Sequence, residues 1–157
     1  MKLTKHVKDI AKNLNKKKQT LGLAESCTGG HISSCITETP GASKFFNGCI
    51  VSYANSAKTD LLGVPRKVLI KHGAVSKQTA IGMALGARKA LRSTWAVSVT
   101  GIAGPTGGSE SKPVGLVFAS VVGPNVEVVV KNIFKGSRKT IQYQAAEQAL
   151  RLLLRYL

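Results

Sequence analysis

Between Leu21 and Gly30 the chain reads LGLAESCTGG, an apolar run that stops at a serine and passes straight into Thr-Gly-Gly. A short run without polar alternation reads as a buried strand, and a buried strand needs helices on both faces of its sheet. The strand delivers Ser26 to a glycine-containing turn, with a helix starting behind it. A hydroxyl placed there lies beside free backbone N–H groups, which can hold an anion or assist attack on a carbonyl. VTGIAGPTGG, from Val99 to Gly108, repeats the pattern of strand and glycine-rich loop. Two such loops in one small chain point to a site. The alternative is that both are tight turns serving close strand–helix packing.

A length of 157 residues suits one domain with a sizeable core and is too short for two ordinary ones. Hydrophobic residues make up 43% of the chain, which argues against disorder. No apolar run approaches the length of a bilayer span, and the N-terminus has no continuous apolar segment like that of a secretory signal. A soluble, cytoplasmic protein is expected. The three cysteines, Cys27, Cys35 and Cys49, form no C-x-x-C pair, and His6, His31 and His72 are scattered. Neither a disulfide framework nor a metal site is expected.

The charge is lopsided, with 23 Lys+Arg against 7 Asp+Glu and a formal net charge of +16. Such a balance attracts nucleic acid, acidic membranes or phosphorylated metabolites. Many of the lysines lie between Lys2 and Lys18, where Leu3, Val7, Ile10, Ala11 and Leu14 keep helical spacing. That segment reads as an amphipathic helix with a solvated basic face. A nucleic-acid arm is the competing reading, although no aromatic residues interleave with these lysines as a stacking platform would require.

The remaining pattern alternates strand and helix. A helix is expected from near Thr28 to Thr37 and a strand near Gly48 to Tyr53. Asn55 reads as the N-cap of a short helix through Leu62, and Pro65 as the opening of another toward Lys71. Ser76 reads as the N-cap of a long helix to about Arg92, in which Gly82, Gly86 and Ala90 recur every four residues for close packing against a sheet. A strand at Trp95 to Thr100 precedes a valine-rich hairpin, Val114–Val122 and Val126–Phe134, across Gly123-Pro124-Asn125. A last helix runs from about Lys139 to Leu157. The expectation is one α/β domain with helices on both faces of a mixed sheet.

Ligands of such sheets collect outside the carboxyl ends of the strands. Three strand ends carry polar residues: Ser26, Tyr53 and Thr100. Lys58 falls in the first turn of the helix after Tyr53, where the positive end of the helix dipole disfavours an ammonium. Desolvation lowers its pKa further, and a neutral amine can then serve as general base for a serine nucleophile. The plainer alternatives are a packed tyrosine with a bonded hydroxyl and a solvated surface lysine.

AESCTGG, VSYANSAKTDLLGV, HGAVS (His72 to Ser76), VTGIAGPTGG, KPVG (Lys112 to Gly115) and GSR (Gly136 to Arg138) follow one another in that order. Together they closely resemble the CinA C-terminal domain family, whose enzymatic members are nicotinamide-nucleotide amidases. The resemblance covers about Lys5 to Leu157. It implies a three-layer α/β/α sandwich with a mixed, mostly parallel sheet, and a single amidase domain over 1–157 that includes the basic segment 1–18. It implies deamidation of nicotinamide mononucleotide to nicotinic acid mononucleotide and ammonia, in pyridine-nucleotide salvage. By motif match Ser26 is the nucleophile, Lys58 its base partner, and Tyr53 the site tyrosine that relays a proton or holds the dyad. Thr100 matches the threonine that opens the second loop.

The chemistry of the residues agrees with that implication. Backbone N–H groups near Thr28, Gly29 or Gly30 are candidates for an oxyanion hole. Arg138 and the Gly101–Gly108 loop, Gly104 included, are candidates for the substrate phosphate. No metal or organic cofactor is expected, nor a membrane partner, and the family implies a homodimer or higher oligomer. A non-catalytic nucleotide- or DNA-binding protein linked to competence or damage response is the alternative. Two positions depart from the family pattern: Ser137 stands where an aspartate is frequent, and Gln142 where a second arginine often stands.

Overall fold

The computed structural model describes residues 2–157; Met1, which belongs to the expected basic segment 1–18, lies outside them. Helix α1 (Lys2–Lys17) turns Leu3, Val7, Ile10 and Leu14 inward and leaves its lysines exposed. Strand β1 (Leu21–Glu25) is buried along its whole length, as an uninterrupted apolar run requires. Helix α2 (His31–Thr37), strand β2 (Phe46–Val51) and helices α3 (Asn55–Leu62), α4 (Arg66–His72) and α5 (Lys77–Ala90) follow. Strand β3 (Trp95–Gly101), the hairpin of β4 (Leu116–Gly123) and β5 (Val126–Ile133), and helix α6 (Arg138–Leu154) complete the chain.

The strands form one sheet in the order β2-β1-β3-β4-β5. β1 is parallel to β2 and to β3, whereas β4 is antiparallel to β3 and to β5. Four strands therefore share a direction and β4 alone runs against them, so the sheet is mostly parallel by direction but evenly split by pairing. Asn125 closes the hairpin at φ 59°, a left-handed conformation that asparagine tolerates. On one face Leu21, Leu23, Val97 and Val99 pack with α1, α2 and α6. On the other, Ala24 and Ala96 meet Met83 and Ala87 of α5 together with Leu62 and Val64. The expected layers are present.

Register places the site. Glu25 is level with Val51 on one side and Val99 on the other. The Ser26 N–H donates to the Val99 carbonyl at 3.0 Å, and the Ser52 N–H to the Glu25 carbonyl at 2.9 Å. The three chain segments that leave β1, β2 and β3 thus depart from one edge, side by side.

Three local expectations need correction. Helix α2 begins at His31 rather than near Thr28, because Gly29 (φ 60°) and Gly30 (φ 97°) hold a left-handed turn first. Asn55 does not cap α3: the cap is Ala54 in extended conformation, without a side-chain bond, and Asn55 is the first helical residue. Ser76 does cap α5, its hydroxyl accepting from the Thr79 N–H. Gly82 and Gly86 of α5 also face a different neighbour than expected, and Ala90 is exposed. A Cβ on Gly86 would lie 1.9 Å from the Leu62 carbonyl oxygen, and one on Gly82 would be 3.4 Å from Val64. They let α5 approach the end of α3 rather than the sheet.

Gly86→Ala is therefore expected to destabilise the fold, although alanine is normally the better helix former by about 1 kcal/mol. Backbone must move to admit the methyl, and overpacking of this kind costs roughly 1–3 kcal/mol. A lower thermal midpoint by several °C would show it; an unchanged or higher midpoint would mean that α3 gives way freely.

Candidate active site

A cavity of about 340 Å³ opens at this edge, lined by Ser26, Cys27, Tyr53, Lys58, Ala74, Val75, Thr100–Gly104, Thr106, Gly107 and Arg138. At its floor Lys58 Nζ lies 3.0 Å from Ser26 Oγ. The same nitrogen donates to the Ser52 carbonyl at 2.6 Å and to the Tyr53 carbonyl at 3.3 Å. Lys58 is 1% exposed, although it belongs to a surface helix. Two carbonyls and one hydroxyl surround the nitrogen: as an ammonium it donates to all three, and as a neutral amine it keeps two hydrogens for the carbonyls and can turn its lone pair to Ser26.

Electrostatics favour that neutral form. Burial lowers the Lys58 pKa below the ordinary lysine value, since desolvation disfavours the charged state. The start of α3 adds in the same sense, with Lys58 N–H closing the first helical turn onto Ala54. No carboxylate pairs with Lys58 among the described residues. Glu25, the neighbour of Ser26, is engaged elsewhere: its carboxylate accepts from the N–H groups of Gly30, Ile32 and Ser33. Cys27 is no competing nucleophile, because burial pushes its thiol up to about 12, and the thiolate is the reactive form.

The structure brings Ser26, Lys58, Tyr53, Thr100, Gly101, Gly104 and Arg138 to one cavity and leaves Thr28, Gly29 and Gly30 off its walls. Gly29 N–H donates to the Ser26 carbonyl and Gly30 N–H to Glu25, so neither amide is free for an oxyanion. The amides of Cys27 and Thr28 have no partner among the described residues, and Cys27 lines the cavity. The nearest free donor is thus one residue earlier than expected. Tyr53 is 63% exposed and its hydroxyl accepts from Arg138 Nη2 at 3.0 Å. It touches the dyad through its backbone carbonyl. Arg138 also donates to the Gly104 carbonyl at 2.7 Å, which ties the first turn of α6 to the second loop. Thr100 bonds the Ala74 carbonyl, so its hydroxyl braces the cavity wall.

Sequence reading missed Glu25, which caps α2 from the end of β1. The signal was present, as an acidic residue closing an otherwise apolar strand.

A CinA C-terminal domain model matches residues 3–157. A CinA-like protein of Prochlorococcus marinus (strain MIT 9515) is 46% identical over 136 residues, covering 86% of this chain and 31% of the relative. Another, of Pseudothermotoga lettingae, is 46% identical over 148 residues, covering 94% of this chain and 36% of the relative. The chain thus spans about a third of the length of these curated relatives. Among solved structures, a competence/damage inducible protein of Agrobacterium tumefaciens superposes with a TM-score of 0.93 at 38% identity, covering 99% of this chain and 95% of that one. A competence-damaged protein (CinA) superfamily protein of Escherichia coli gives 0.95 at 28% identity, covering 99% and 90%. No helix among the described residues is long and apolar enough to cross a membrane. Matched by the family model along nearly its whole length, the chain belongs to the CinA C-terminal domain family.

Proposed function

We propose that this chain is a nicotinamide mononucleotide deamidase working through a Ser26–Lys58 dyad. The observation that carries the reading is the buried amine of Lys58, without a carboxylate partner, 3.0 Å from Ser26 Oγ in an open cavity. A lysine kept for charge or solubility would sit in water; one desolvated against a hydroxyl is arranged to accept its proton.

In the proposed reaction Lys58 takes the Ser26 proton as Oγ bonds to the carboxamide carbon. The carbonyl oxygen becomes an oxyanion beside the Cys27 N–H, where one well-placed donor is worth a few kcal/mol. The resulting lysinium then protonates the departing nitrogen, the C–N bond breaks, and ammonia leaves a Ser26 acyl ester. Water, deprotonated by the again neutral Lys58, adds to the ester carbon. Collapse of that adduct returns the proton to Ser26 and releases nicotinic acid mononucleotide.

Arg138 and the unpartnered amides of Ala103 and Gly104 offer cationic and N–H partners for a phosphate at the mouth. The general excess of positive charge would draw an anion toward them. A non-catalytic DNA-binding role would draw instead on the exposed lysines of α1, and it gives no reason for burying Lys58. Cytoplasmic placement and assembly into homo-oligomers belong to the same proposal.

The test is ammonia release from nicotinamide mononucleotide with a chelator present. Stoichiometric ammonia and nicotinic acid mononucleotide are expected. A protein that releases none, yet binds duplex DNA at physiological salt, would reverse the assignment.

A further inference from the structure

Two peptide groups follow Ser26 in the chain, and both are held in the same way. In the first, the Ser26 carbonyl accepts from Gly29 N–H at 3.0 Å. In the second, the Cys27 carbonyl accepts from the side-chain amide of Gln142 at 2.8 Å. Their own N–H groups, those of Cys27 and Thr28, have no partner among the described residues. A donor aimed at a peptide oxygen stops that peptide from rotating. It also draws electron density from the nitrogen, which makes the N–H a stronger donor.

Gln142 reaches the turn from outside the cavity. It lies on α6, one turn after Arg138, and lines a separate hollow with His31, Lys139 and Tyr143. Its side chain makes no hydrogen bond to Ser26 or Lys58. The far side of the turn is gripped by Glu25 through the Gly30, Ile32 and Ser33 amides. Between these two anchors stands Cys27, which lines the cavity and carries the free amide next to the nucleophile.

We infer that Gln142 is a positioning residue for acyl transfer at Ser26: by gripping the Cys27 carbonyl it keeps the adjacent amides set for the developing oxyanion. The inference rests on Ser26 being the nucleophile but not on the identity of the substrate. Removing one oxyanion donor outright typically costs about 10²–10³ in rate; Gln142 holds the peptide next to the one that carries the Cys27 N–H, so loosening it is expected to cost about tenfold.

The probe is a small dialkyl phosphorofluoridate, which reports on the serine without needing the natural substrate. Ser26 Oγ bonds to phosphorus, the P–F bond breaks, fluoride leaves, and the serine proton passes to Lys58. The phosphoryl oxygen occupies the place of the oxyanion. Gln142→Met keeps the side-chain length and loses the donor; Gln142→Glu sets an acceptor against the Cys27 carbonyl. Mass spectrometry is expected to show wild type labelled at Ser26, the Met variant about tenfold slower, and the Glu variant slower still.

Turnover of nicotinamide mononucleotide should fall in kcat by the same factors, with KM, the thermal midpoint and the acidic limb of the pH profile unchanged. If the Glu variant fails to fold, the Met variant alone decides. Equal labelling in wild type and Gln142→Met, an unlabelled wild type, or a displaced acidic limb would each overturn the inference. A wild type that labels in the expected order but releases no ammonia would leave Gln142 in this role and remove the substrate assignment. Ammonia release at equal rates in all three proteins would do the reverse.

Discussion

Ser26→Ala is expected to abolish ammonia release, by roughly 10⁴-fold or more if serine–base pairs elsewhere are a guide, while leaving the fold intact. The side chain is small, and its backbone N–H keeps the bond to the Val99 carbonyl that fixes the end of β1. Lys58 keeps both carbonyl partners. No neighbour can take over the chemistry. Cys27 is adjacent and lines the same cavity, but its thiol, pushed up to about 12, stays protonated at neutral pH. Ammonia release is to be compared at equal concentrations of folded protein, with the thermal midpoint as control. Full activity in the alanine variant would remove Ser26 from the chemistry altogether.

The fold was legible because its strongest signals are periodic. The apolar positions of α1 and the unbroken run of β1 each allow one arrangement, and both are found as expected. The edge of the sheet that carries the site followed from Ser26, Tyr53 and Thr100 ending their segments in polar residues. What stayed hidden depends on distances across the chain. Nothing local to Lys58 states that two carbonyls from the segment after β2 will receive its amine. Nothing local to Tyr53 states that its hydroxyl will meet Arg138, 85 residues later.

Of the amides expected as oxyanion donors, that of Thr28 is unpartnered among the described residues, and those of Gly29 and Gly30 are lost to a subtler competition. Thr-Gly-Gly offers several amides, and which of them remain free depends on the Glu25 carboxylate, which takes Gly30, and on the turn itself, which takes Gly29. Gly82 and Gly86 of α5 were read correctly as sites of close approach, whereas Ala90 is exposed. Their neighbour could not be read, because the end of α3 returns to α5 only through the tertiary fold.

Lys58 carries the other large effect, and substitution there separates two roles that one side chain could play. Lys58→Met removes both amine and charge, and turnover at neutral pH is expected to fall by several orders of magnitude. Lys58→Arg keeps a cation and its donors but cannot accept a proton near neutrality, so it should be equally inactive; an active arginine variant would mean that only the charge matters. In the wild type, kcat/KM should rise with pH as the lysinium loses its proton, along a limb below the ordinary lysine range because burial lowers this pKa.

The same shift has a consequence for stability whose sign is fixed. Between the depressed folded pKa and the ordinary unfolded one, the unfolded chain binds more protons at this position than the folded one, so raising the pH stabilises the fold. Lys58→Met lacks that contribution, while every other titrating group is common to both proteins. The wild-type thermal midpoint is therefore expected to gain on that of the variant as pH rises from neutral toward the ordinary lysine value, whatever the offset at pH 7. A constant offset would mean that Lys58 titrates alike in both states, and an amine that does not feel its burial would have no claim to be the base.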